Sequence, residues 1–119
     1  MENKQDYIQR AADWAQASGF TEVRANASGY EKPITYNRQQ DSQSFTPDVT
    51  GKQFDQKSYF DVLVSTADRQ QVISRLKLLS QLAAVRGGHL YVMVPKGHQP
   101  FAKNIVAECQ VAAEVINLL

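Results

Sequence analysis

The residues best suited to chemistry in this chain are two aspartates on neighbouring stretches: Asp48, after Pro47, and Asp61, inside Tyr59-Phe60-Asp61-Val62-Leu63. Asp is depleted in strands, and Asp61 interrupts a run that is otherwise aromatic or aliphatic. If the two stretches pair as a hairpin, the carboxylates meet. Adjacent carboxylates repel, and each raises the pKa of the other unless a cation joins them. A hard divalent ion such as Mg²⁺ takes oxygen ligands, commonly one or two carboxylates plus substrate phosphates. Such an ion can activate water and stabilise a leaving phosphate oxygen. A separation beyond about 8 Å would leave no shared site, because Mg²⁺–oxygen bonds are roughly 2.1 Å. Each Asp also has a structural role open to it. Pro-Asp is a frequent turn pair, and Asp61 can sit on an edge or pair with an arginine such as Arg75.

Other reactive types carry less. His89 and His98 have no Cys, His or acidic neighbour at ligand spacing, so surface histidine is the expectation for both. Cys109 lies on an apolar helical stripe and is expected to be a buried structural thiol. Trp14 is expected to pack in the core. Gly87-Gly88 reads as a helix stop, since it lacks the glycine spacing and following helix of a phosphate loop. Arg69, Arg75, Lys77 and Arg86 against Asp68 read as a solvated helix face before a phosphate-facing patch. No aromatic–basic interleaving of the kind used by single-strand binders is evident.

The elements that must position these residues follow from periodicity. Ile8, Ala11, Ala12 and Ala15 predict a helix over residues 4–18, ended by Gly19. A short strand is expected over 20–26, with Ile34-Thr35-Tyr36 as a small extra strand. The polar stretch 37–57 includes Gln39, Gln40, Gln43, Gln53 and Gln56, but Phe45, Val49 and Phe54 interrupt it, so it reads as strands and turns. A strand is expected over 45–50, with Thr50-Gly51-Lys52 as its exit turn. Residues 58–65 form the strongest strand signal. A helix over 67–86 carries the stripe Val72, Leu76, Leu79 and Ala83, with Thr66 as N-cap. Residues 90–94 read as a buried strand, and a third helix begins near Pro100. Residues 111–119 are open between helix and strand, with Val115-Ile116 slightly favouring strand. The expected fold is therefore α/β, a mixed sheet flanked by helices, containing one parallel βαβ unit.

With these elements in place, the chain resembles the PD-(D/E)XK nuclease-like superfamily, the restriction-endonuclease-like fold with an αβββαβ core. Phe45-Thr46-Pro47-Asp48-Val49-Thr50-Gly51 looks like the family's "PD" strand. Tyr59-Phe60-Asp61-Val62-Leu63 looks like the strand carrying its (D/E)XK triplet. The resemblance implies one nuclease-like domain over residues 1–119, Asp48 and Asp61 as ligands of Mg²⁺, and nucleic acid as substrate or partner. It also implies a lysine where this chain has Leu63, which cannot donate a hydrogen bond or stabilise a developing charge. Lys57, in the literal Asp55-Gln56-Lys57, and Lys77, on the second helix, are the replacements on offer. Gln81 matches a helix position of some nuclease subfamilies, but Val85 replaces their Tyr. The implied function is a degenerate nuclease-superfamily protein, with Mg²⁺-dependent phosphodiester hydrolysis or nucleic-acid binding. The alternative is a non-catalytic interaction or assembly module of the same fold, as a homodimer or with a protein partner.

Composition sets the outer limits. A chain of 119 residues has the size of one domain. Hydrophobic residues make up 43% and charged residues 21%, as in ordinary globular domains. A net charge of +1 gives no strongly basic signature. One cysteine excludes an intrachain disulfide and a cysteine-rich zinc site. No apolar run approaches the ~20 residues that span a bilayer, and Met1-Glu2-Asn3-Lys4-Gln5 lacks a signal-peptide stretch. A cytoplasmic location without membrane contact is the expectation.

Overall fold

A computed structural model describes residues 4–33, 35–37, 44–63, 68–95 and 97–118. Helix α1 spans Lys4–Ala17 and is followed by strand β1, Thr21–Ala25. Two short strands, β2 (Tyr36–Asn37) and β3 (Ser44–Phe45), pair with each other as a separate ribbon. Then come β4 (Val49–Gln53), β5 (Gln56–Val62), α2 (Arg69–Val85), β6 (Gly87–Pro95), α3 (Gln99–Cys109) and β7 (Ala113–Leu118). The main sheet has the order β1-β4-β5-β6-β7. Pairs β1–β4 and β4–β5 are antiparallel, and β5–β6 and β6–β7 are parallel. The fold is thus α/β, with a five-stranded mixed sheet and three helices among the described residues. No helix among the described residues is long and apolar enough to cross a membrane.

Two cores lie on the two faces of the sheet. One joins Ile8, Ala11, Ala12 and Ala15 of α1 to Val49, Phe60, Val62 and Met93. The alanines let the helix approach the strands closely, and the space left is filled by rings. Phe60 stacks on Tyr91 at 5.0 Å, and Phe20 meets Phe60 edge-on at 5.1 Å. Trp14 packs beside them, as its place on α1 predicts. The other core joins Tyr59, Leu63, Leu90, Val92 and Val94 to Val72, Leu76, Leu79 and Ala83 of α2 and to Ile105 of α3. The predicted α2 stripe is buried in full, and Cys109 is a buried thiol of the same core.

Several boundaries differ from expectation. Thr50-Gly51-Lys52 is not an exit turn but the middle of β4, and the turn is Phe54-Asp55. Gly51 avoids a tight contact there, because a Cβ would sit 3.2 Å from the Phe20 Cβ. Phe45 belongs to β3 rather than to the strand that carries Thr50. The α2 N-cap is Asp68, whose carboxylate accepts from the Gln70 and Gln71 amides; the expected cap Thr66 lies outside the described residues. So do Ile34, Gln39, Gln40, Gln43, Val64, Ser65 and Ala67. Residues 113–118 resolve the open C-terminal segment as a strand, held by parallel pairing to β6. Gly87-Gly88 does end α2, but it also opens β6. A Cβ on Gly88 would lie 2.0 Å from the Lys57 carbonyl oxygen, so only glycine permits this approach. The β5–β6 register shifts at that point, and the Ser58 hydroxyl accepts from the displaced His89 amide at 3.1 Å.

Candidate functional site

Val49 pairs with Phe60 across the antiparallel β4–β5 ladder. Asp48 immediately precedes Val49 and Asp61 immediately follows Phe60, so the hairpin delivers the two carboxylates to one place. Both are buried, Asp48 at 7% exposure and Asp61 at 1%. The cation that joins them is an arginine. Arg75, on α2 one turn from Val72 and Leu79, donates from Nη2 to Asp48 Oδ2 at 3.2 Å and to Asp61 Oδ1. One nitrogen contacting both carboxylates puts the two oxygens within about 6 Å of each other. The Val62 amide also donates to Asp48 Oδ2, at 2.9 Å. Burial works to lower the Arg75 pKa, but the charges of Asp61 and Asp48 outweigh it and raise it, so the guanidinium stays protonated.

The other expected site residues are elsewhere. Leu63, in place of the motif lysine, is 1% exposed and packed with the α2 core, and its amide donates to the Met93 carbonyl. Lys57 is four residues from Asp61 along β5, roughly 13 Å at strand rise, and its amine lies 5.5 Å from the Tyr59 ring centroid. Lys77 is exposed on another side of α2, where its charge acts on Cys109 of α3. Burial raises the Cys109 pKa, while Lys77 and Arg69 pull against it, so the thiol is not an activated nucleophile. His89 is exposed with its ring edge toward Tyr91, and His98 precedes α3, where its carbonyl accepts from the Ala102 amide.

Mg²⁺ does not fit this arrangement without displacement of Arg75, whose guanidinium holds the position between the carboxylates. Among the described residues, no group of three or more His, Cys, Asp or Glu side chains is placed to hold a metal ion. No protein-family model matches the chain, and no curated protein does.

A second feature lies at the opposite end of the same hairpin. Arg24, Lys52, Lys57 and Arg86 converge with Glu22 on a concavity of about 200 Å³ whose wall includes buried Thr50. Sequence reasoning missed it because its cations come from four separate elements. The available signal was Lys52-Gln53-Phe54-Asp55-Gln56-Lys57: a two-residue turn puts the lysines directly opposite and an aromatic between them.

Proposed function

We propose that the chain is a degenerate member of the nuclease-like superfamily, a nucleic-acid-binding module in which Arg75 takes the place of the metal. The observation that carries this reading is the single Arg75 nitrogen shared by Asp48 and Asp61. The half-buried Arg75 guanidinium already offsets one of the two negative charges and occupies the place between them, which weakens the pair's demand for a divalent ion. Leu63 supports the same reading, because a core position beneath α2 leaves no lysine to serve an attacking water. The meeting of the two aspartates favours a second reading, Mg²⁺-dependent phosphodiester hydrolysis, in which Arg75 would yield its place.

Titration of Mn²⁺ into ¹⁵N-labelled protein separates the two. The expected result is no selective paramagnetic broadening of the Asp48, Val49, Asp61 and Val62 amides at millimolar metal, and no cleavage of DNA or RNA with Mg²⁺. Selective broadening that disappears in Asp48→Asn, together with cleavage, would establish the hydrolytic reading instead.

A further inference from the structure

We propose that the turn end of the β4–β5 hairpin binds a nucleotide unit, its phosphate in the basic cleft and its base against Phe54. This deepens the nucleic-acid reading above and rests on it for the class of ligand. The cleft faces the α2 side of the sheet, where, among the described residues, α2 and α3 pack mainly on β5, β6 and β7 rather than on β1 and β4. Four cations meet there against one lining carboxylate, Glu22, which lies 3.1 Å from Lys52. Lys52 and Lys57 are direct cross-strand partners. Like charges opposite each other destabilise a ladder, and a bound anion adds to the relief that Glu22 already gives Lys52. A phosphate oxygen accepts from several such donors at once.

The volume decides how much of the ligand enters. About 200 Å³ is less than the roughly 300–1,000 Å³ of pockets that enclose a whole small molecule. A phosphate and part of a sugar fill it, and a base remains outside. Beyond the Lys52–Lys57 pair comes the Gln53–Gln56 pair and then the turn, where Phe54 stands 88% exposed. Its φ is +55° and that of Asp55 is +63°. A bulky side chain in the left-handed region is an outlier, and this one contributes nothing to either core. A positive groove beside an exposed ring is the arrangement by which single-stranded nucleic acid is held without sequence readout. The base must be unstacked to reach Phe54, so a duplex does not satisfy the site.

The test is amide chemical-shift titration of the full chain with adenosine, AMP and an oligothymidylate of about eight nucleotides. Selective shifts at Gly51, Lys52, Phe54 and Lys57 are expected with AMP and the oligomer but not with adenosine. The Lys52→Gln/Lys57→Gln variant should weaken binding at least about tenfold and flatten its salt dependence. Phe54→Ala should weaken it about tenfold. All three side chains are outside the cores, and a thermal melt of each variant checks the fold. Equal affinity for AMP and the oligomer identifies a free nucleotide as the ligand, and tighter oligomer binding identifies a single strand. Oligomer binding that shifts amides elsewhere, or that is unchanged in both variants, overturns the site and leaves the nucleic-acid reading standing. No binding of any phosphate-bearing probe at millimolar concentration overturns both.

Discussion

Removal of the Arg75 guanidinium would leave the carboxylates of Asp48 and Asp61 buried without the cation they share. Breaking a buried ion pair from one side costs more than the pair contributes, because a charge remains in a low dielectric. Arg75 retains 26% side-chain exposure, which lets water relieve part of that cost. Arg75→Met should therefore lower unfolding free energy by about 2–3 kcal/mol, read from urea midpoints. Adding Asp61→Asn to Arg75→Met should recover part of the loss, since one buried charge is then gone. No recovery would mean that Arg75 acts through the packing of its stem. At this scale the sequence was informative about types and less so about partners. Asp61 stood out because an Asp inside an apolar strand needs a reason. Arg75 was legible only as one arginine able to supply it, since four basic residues lie on or next to α2 and helical phase alone does not rank them.

At the scale of elements, the β4–β5 hairpin joins both candidate sites. Its turn has two central residues with positive φ, the geometry that Asn-Gly satisfies and that matches the twist of the strands. Phe54-Asp55 is a poor choice for it. The double substitution Phe54→Asn/Asp55→Gly should raise stability by about 1–2 kcal/mol while abolishing the stacking contribution to nucleotide binding. A higher melting temperature with unchanged binding would separate the turn from the site. Legibility also varied by element. Tyr59-Phe60-Asp61-Val62-Leu63 announced a strand because both faces of it are needed by a core. The preceding strand was misplaced because Thr50-Gly51-Lys52 has turn composition. Its glycine answers a tertiary demand, room for Phe20, that local sequence does not carry.

Over the whole molecule, the sheet separates two cores, and long-range ties hold α1 and its following loop to one face. Tyr30 is one such tie. Its hydroxyl donates to Asp13 on α1 at 2.8 Å. Burial, then the hydrogen bond and charge of Asp13, push the phenol up from 10.0 to about 12. A group whose pKa is raised by folding contributes its stability in full below the unfolded value. That contribution should therefore be present up to about pH 10 and fall away as pH rises toward 12. Ultraviolet tyrosine titration should show a phenol ionising near pH 12 that is missing in Tyr30→Phe. The variant should also lose less stability than the wild type between pH 10 and 12. Equal losses would show that the loop is held by other contacts.

By itself the sequence determined the α/β class, the three helices and the parallel βαβ unit. It did so because apolar periodicity and caps are local properties, and because a strand buried on both faces has few places to go. The tertiary structure alone decided that Arg75 joins Asp48 and Asp61, that Leu63 is core, and that the C-terminal segment is a strand. It also decided that Arg24, Lys52, Lys57 and Arg86 share a cleft. Each of these is a meeting of residues far apart in the chain. Which distant residues meet is set by strand order and register, and those are fixed only when both faces of the sheet are packed.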